Sequence, residues 1–375
     1  MNPSRKRVLD AMNLIKPDRI PVMSQFSIGC MMNQLSPSSP SKFWYDEETF
    51  SKGLVVLCEK FKFDGILVSL HGHSPNWQSS ILSKSILENG DELLEFEERT
   101  ELHSLNDLPL VKYKNKREKL NIDDIDVSNC IPLQLDYIPV SQDLYFHLDQ
   151  NNLFGIYKRI YNLTDGKYSI HGEITSPFDY LLDLLGYEQG LISLILSPDK
   201  CKEILSRFTE SIMKLADKMC DCEIDAVKIS SPFAGMGFIS PEHYSEFVLP
   251  YESQIIEVIK SKGKHVYIHT CGHIDDRLEL MQSSGASGLE CLDPPPVGNV
   301  DLADAFNRIG DKMFIKGNID SVNTLLYGDD NKAREDILKI IDVGKSYPGF
   351  ILSTACSIAP KVHSERILLL SDLIS

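Results

Sequence analysis

Residues 264–291 read KHVYIHTCGHIDDRLELMQSSGASGLEC. The stretch opens with Lys264–His269 (KHVYIH), a short apolar run rich in β-branched and aromatic residues. A Cys-Gly pair breaks it. Ile274–Ser283 then carries apolar residues at helical spacing, and Ser287–Cys291 (SGLEC) is apolar again. Strand, helix and strand in so short a span predict a parallel βαβ unit.

The same rhythm extends outward in both directions. Further runs of this kind are Arg19–Met23, Gly65–Leu70, Lys167–His171, Asp225–Ile229, Lys312–Lys316 and Gly349–Thr354, which makes eight. Most are apolar nearly throughout rather than strictly alternating, as suits parallel strands covered on both faces. The segments between them read as helices. Ser197–Cys220 has Pro198 near its start and apolar residues at helical spacing. Pro241–Lys262 follows Ser240, an N-cap residue, and Pro250 is expected to split it. Eight such strands predict an α/β fold, a (β/α)8 TIM barrel. An open doubly wound sheet is the rival, but no Gly-rich phosphate fingerprint follows the first run. The chain is expected to be a single domain over 1–375, with an insertion at about 72–166 between the second and third strands. Within that insertion Leu93–Glu98 and Leu133–Ile138 look strand-like, and Lys112–Lys119 is a polar run.

Acidic residues outnumber basic ones by 54 to 38, a net charge of −16. That balance argues against nucleic acid or an anionic membrane as the main partner. No apolar stretch has the length of a signal peptide or a membrane span, so a cytoplasmic protein is expected. Nine cysteines without an export signal argue against a disulfide framework.

The chemistry gathers at the strand ends. His269 and Cys271 close the fifth strand as HTCG, Glu290 sits in the sixth, and Cys356 follows the eighth in STACSIAP. All three elements end on the same face of a barrel, where such folds build their sites. One His, two Cys and one carboxylate form a zinc set, with Asp293 as the alternative to Glu290. A zinc so rich in negative ligands is a poor activator of water and suits an acceptor thiol. Cys291 alternates in direction with Glu290 and reads as core. Cys220 and Cys222 read as structural. His71 and His73 follow the second strand. His171 and Glu173 follow the third, and Asn318 the seventh. Of these, His71, His171, Glu173 and Asn318 are the substrate-contact candidates. Ser230 and Ser231 are read as loop caps.

With those residues in view, Asp225 through Ser375 resembles the uroporphyrinogen decarboxylase superfamily. The matching pieces are DAVKISSPFAG, SPEHYSEFVLPY, HVYIHTCG, KGNID and GFILSTACSIAP. RIPVM and FKFDGILVS match more weakly. The resemblance implies a (β/α)8 barrel. The true decarboxylases carry an arginine-rich motif after the first strand, whereas SQFSIGC here has no arginine. They also place an Asp at the end of the second strand, where this chain leads to His71. The HTCG and Cys356 are similar to the zinc-dependent methyltransferase branch, which includes methylcobalamin:coenzyme M methyltransferases. That resemblance implies His269, Cys271 and Cys356 as zinc ligands. Glu290 falls where cobalamin-independent methionine synthase has a glutamate ligand.

The resemblance further implies a methyl group delivered as methylcobalamin by a partner corrinoid protein, since this chain lacks the DxHxxG signature. The small-molecule acceptor is a coenzyme M-type thiol or tetrahydrofolate. A homodimer is what the superfamily suggests. The rival functions are decarboxylation or lyase chemistry on a small acid, and a non-catalytic zinc scaffold that docks a corrinoid protein.

Overall fold

The computed structural model describes residues 2–115, 120–141 and 144–374. The end of the polar run Lys112–Lys119 therefore lies outside the described residues.

Seven of the eight expected strands form one parallel, curled sheet in sequence order. They are β1 (Gly65–Val68), β2 (Ser169–Thr175), β3 (Ala226–Ser230), β4 (His265–Thr270), β5 (Gly288–Cys291), β6 (Phe314–Ile319) and β7 (Phe350–Thr354). The eighth expected strand is a correction. Arg19–Met23 forms only an isolated bridge, from Val22 to Leu352. Pro21 has no N–H to give a ladder, so regular pairing fails there. The segment still bonds to both sheet edges. The Met23 N–H donates to Leu352 O at 3.0 Å, and Asp64 N–H donates to Val22 O at 2.8 Å.

The helices follow their local signals. Pro198–Met219 buries the apolar stripe Ile204, Leu205, Phe208 and Ile212. The helical stretch after Ser240 does split, into Pro241–Phe247 and Leu249–Ser261, and the Ser240 hydroxyl accepts from His243 N–H. The N-terminal ends of the strands are sealed. Val8, Ala11 and Met12 of the helix Pro3–Met12 pack with Met23, Tyr267, Phe314 and Ile351. Arg5 pairs with Asp225 at 2.7 Å, and Arg7 and Arg19 both bind buried Asp64. Only the C-terminal ends are left to build a site.

The insertion carries more strand than expected. Ser83–Ile86, Glu92–Glu95, Arg99–His103 and Leu110–Tyr113 make an antiparallel sheet, and Tyr137–Ser141 pairs with Leu144–His147. Asp149 N–H donates to Gly72 O at 2.8 Å, which lays the insertion over the end of β1. All nine cysteines are free. Among the described residues no helix is long and apolar enough to cross a membrane.

Candidate metal centre

The register of the sheet brings the site together. His269 on β4 lies beside Glu290 on β5, and Glu290 lies beside Lys316 on β6. On the other side Glu173 of β2 lies beside Lys228 of β3. Parallel strands point the same alternate residues inward, so these side chains share the interior of the curl.

β4 ends at Thr270 and the chain turns at Gly272, whose φ of +76° a glycine adopts freely. The turn brings Cys271 Sγ to 3.3 Å from His269 Nε2. After β7 the chain delivers Cys356 Sγ to 3.8 Å from Cys271 Sγ. Cys291 is fully buried, as expected, but its thiol does not point away from the site. Its Sγ, a His269 ring nitrogen and Cys271 Sγ all lie within 4.8 Å of one another. Cys291 and Leu292 have φ of +86° and +55°, so strand alternation stops at Glu290 and the thiol swings toward the cluster.

Glu290, expected as a fourth ligand, faces the other edge of the imidazole. Its Oε2 is 2.9 Å from His269 Nδ1, while Cys271 sits at Nε2. Its Oε1 accepts from Lys316, and Lys228 lies 3.6 Å from Oε2. A carboxylate so placed holds the ring orientation and turns Nε2 toward Cys271. Asp293, the alternative, is committed too. It accepts from Gly272 N–H at 2.7 Å and from Cys291 Sγ at 3.1 Å, which ties the two loops together.

Burial disfavours charge on Glu290, but Lys316 and Lys228 outweigh it and hold the carboxyl well below its usual range. Burial also opposes charge on His269. The Cys271 thiolate and Glu290 win, and the imidazole is raised to about 9. Cys271 is held well below the usual thiol range, chiefly by hydrogen bonds from Cys291 and Cys356, with His269 adding to them. Its bond to Cys271 and its burial push Cys356 up. Without a metal the cluster is thus an imidazolium–thiolate pair with the Cys356 thiol beside it, while the Cys291 thiol faces Asp293. The His269 imidazole with the Cys271 and Cys291 sulfurs, and the Cys356 sulfur beside Cys271, offer soft donors, which fit zinc and not a hard oxygen-seeking cation.

The other candidates fall in different places. His171 is fully buried, with Nε2 3.1 Å from Ser169 Oγ and Nδ1 3.1 Å from Tyr267 OH. That corrects its expected place at a substrate, because both nitrogens are already used. His71 and His73 are buried under the insertion against Phe154 and Phe146, not open at the mouth. Burial lowers them to about 4 and about 3. Glu173 keeps a partly exposed place. Its Oε1 lies 2.8 Å from Lys228 Nζ, and its Oε2 has no partner. Asn318 donates to Leu292 O at 3.0 Å and leaves Oδ1 unpaired. Cys220 and Cys222 stand at a helix end, away from the cluster.

The reading from sequence passed over Lys228, Lys316 and Gln25. Lys228 Nζ also donates to Gln25 Oε1 at 2.6 Å. A signal was present, since a lysine inside DAVKI and at the end of KMFIK interrupts an otherwise apolar buried strand.

A family model described as uroporphyrinogen decarboxylase (URO-D) matches residues 146–375. Among curated proteins, a methylcobamide:CoM methyltransferase (MtbA) of Methanosarcina acetivorans is 28% identical over 198 residues, 53% of this chain and 55% of that protein. A uroporphyrinogen decarboxylase of Ruthia magnifica is 29% identical over 182 residues, 48% of this chain and 50% of that protein. The chain therefore spans about half the length of the curated relatives it matches. The solved structure of a methyltransferase from Methanosarcina mazei is similar in fold, with a TM-score of 0.72 and 17% identity. That alignment covers 99% of this chain and 98% of the other.

Proposed function

The chain belongs to the uroporphyrinogen decarboxylase family, and from that premise we propose that it is a zinc-dependent methyltransferase rather than a decarboxylase. It moves a methyl group from a methylated corrinoid, carried by a partner protein, to a small-molecule acceptor. Identity does not choose between the two activities, because relatives of both kinds match about equally well. The observation that carries the reading is the His269–Cys271–Cys356 cluster, joined by Cys291, at the open end of the sheet.

What surrounds the cluster supports it. A substrate with several carboxylates needs free cations. Among the described residues the buried Lys and Arg side chains are Lys228, Arg277 and Lys316. Lys228 and Lys316 are held by glutamates, and Arg277 donates to the carbonyls of Ala234 and Ile239.

His269 Nε2 and the Cys271 and Cys356 sulfurs would hold zinc, with Cys291 in reach as a further thiol. Bound there, zinc supplies Lewis acidity that lowers the pKa of the acceptor's nucleophilic atom. The protein's own work is positional. Glu290 fixes the His269 ring, and Lys316 and Lys228 keep Glu290 ionised. Asp293 ties the loop that carries Cys271 to the one that carries Cys291. The mouth sets donor and acceptor in register, a proximity contribution.

The test is demethylation of methylcobalamin by the zinc-loaded protein, offered coenzyme M and tetrahydrofolate separately. One acceptor is expected to be methylated, and Cys271→Ala is expected to abolish the transfer. No transfer to either acceptor, or full transfer by Cys271→Ala, overturns the reading.

A further inference from the structure

Soft donors from three strand ends meet at the mouth, and the chain has arranged them unequally. Among the described residues one group of possible metal ligands has all its donor atoms within 4.8 Å of one another, and it is His269, Cys271 and Cys291. Cys356 Sγ joins Cys271 Sγ at 3.8 Å. The neighbouring carboxylate is not free to complete the shell, because Glu290 is held by His269 Nδ1, Lys316 and Lys228. Cys291 is brought in at a conformational cost. It and Leu292 are consecutive non-glycine residues in the left-handed region, with φ of +86° and +55°. Its surroundings also differ from those of the other sulfurs. Cys271 has the His269 ring beside it and Cys356 has the Ser357 N–H, both partners that suit a thiolate. Cys291 Sγ instead donates to Asp293 Oδ2 at 3.1 Å, a partner that suits a thiol.

One imidazole and three sulfurs fill the four positions of a tetrahedral zinc, and a filled shell leaves an acceptor no place to bind. One ligand has to yield, and Cys291 has a partner waiting for it. We propose that Cys291 is a zinc ligand in the resting protein and the one that the methyl acceptor displaces, with Asp293 receiving the released thiol. The proposal rests on the methyltransferase reading above. In the exchange the bond between zinc and Cys291 Sγ breaks, and a bond from zinc to the acceptor's nucleophilic atom forms. The acceptor's proton passes to Cys291 Sγ, which donates it to Asp293 Oδ2, so charge and protons balance. When the methylated product leaves, Cys291 returns to the metal and that proton goes to solvent. Asp293 also accepts from Gly272 N–H at 2.7 Å, so the carboxylate that holds the displaced thiol also holds the turn that carries Cys271. The metal is thereby closed to water whenever the acceptor is absent.

The experiment is zinc X-ray absorption on zinc-loaded wild type, Cys291→Ala and Cys291→Ser, alone and with 2-selenoethanesulfonate or tetrahydrofolate. Selenium and nitrogen are told apart from cysteine sulfur in such spectra, so the loss of a cysteine ligand is counted directly. Calorimetry shows which probe binds, and circular dichroism and zinc content are the folding controls. Cys291→Ser keeps the volume of the side chain, which covers the case in which Cys291→Ala fails to fold. Wild type alone is expected to show three sulfurs and one nitrogen on zinc. Each variant is expected to show two sulfurs, with oxygen in the place of the third. With a bound probe, wild type should lose one sulfur and gain one selenium or one nitrogen. The variants should keep both of their sulfurs. A zinc-loaded wild type with only two sulfurs, or one that keeps all three when a probe is bound, overturns the proposal and leaves the methyltransferase standing. A third sulfur retained in the variants overturns it equally. A wild type that holds no zinc, or that binds neither probe, refutes both.

Discussion

Lys316→Met tests the buried charges beneath the cluster. Lys316 is fully buried and donates to Glu290 Oε1, which is itself 2% exposed. The substitution is close in volume, so packing changes little and the electrostatic loss dominates. Removing one partner of a buried pair costs about 3–5 kcal/mol. The low end applies here, because Glu290 keeps His269 at 2.9 Å and Lys228 at 3.6 Å. Unfolding entropy of about 2 cal/mol/K per residue, over this length, converts about 3 kcal/mol into a fall of about 4 °C in melting temperature. The same change loosens the carboxylate that orients His269. Zinc affinity should fall by about 10- to 100-fold, as it does when a partner of a ligating histidine is lost. Calorimetry of the metal-free protein and competition titration with a chelator read the two effects separately. A melting temperature within a degree of wild type, together with unchanged zinc affinity, would refute the reasoning.

Three further outcomes are expected. Glu290→Gln should weaken zinc by about 10- to 100-fold yet keep the same sulfur and nitrogen shell; loss of an oxygen ligand from the zinc X-ray absorption spectrum would instead make Glu290 a ligand. Glu252 is raised to about 7 by burial, with Tyr244 and Ser231 opposing the rise. Its folded pKa lies above the unfolded value, so the stability it lends at low pH is lost as pH rises from about 4.5 to about 7. Glu252→Gln should flatten that slope and gain up to about 3 kcal/mol at pH 8, measured by urea unfolding across the window. His171→Leu leaves Tyr267 OH without its 3.1 Å partner, while Ser169 Oγ keeps Asp225, so stability should fall by about 1–3 kcal/mol while the acceptor KM holds. A changed KM with unchanged stability would return His171 to the substrate.

The strand runs were legible because a parallel strand buried on both faces has little freedom in composition; Lys264–His269 covers all of β4 but Thr270, and Gly349–Thr354 contains β7. Arg19–Met23 was misread because its apolar content is right and one proline removes its ladder. The approach of His269, Cys271 and Cys356 to one another was legible because strand ends converge on one face. The turn of Cys291 toward His269 and Cys271 was not legible because alternation holds only while φ stays extended, and no residue type announces that Cys291 and Leu292 turn left-handed. Lys228 and Lys316 escaped notice because their function depends on cross-strand register, which a single strand's sequence does not contain. The burial of His71 and His73 depends on where a long insertion folds back, and local sequence says nothing of that.

The central claim is a sulfur-rich zinc centre built from three strand ends. Its most direct test is metal analysis of protein purified without chelator, followed by zinc X-ray absorption and repeated on Cys356→Ala. The account predicts about one zinc per chain, bound by one imidazole and at least two sulfurs, and largely lost in the variant. A wild-type protein without zinc, or a Cys356→Ala protein that keeps its full complement, would contradict it.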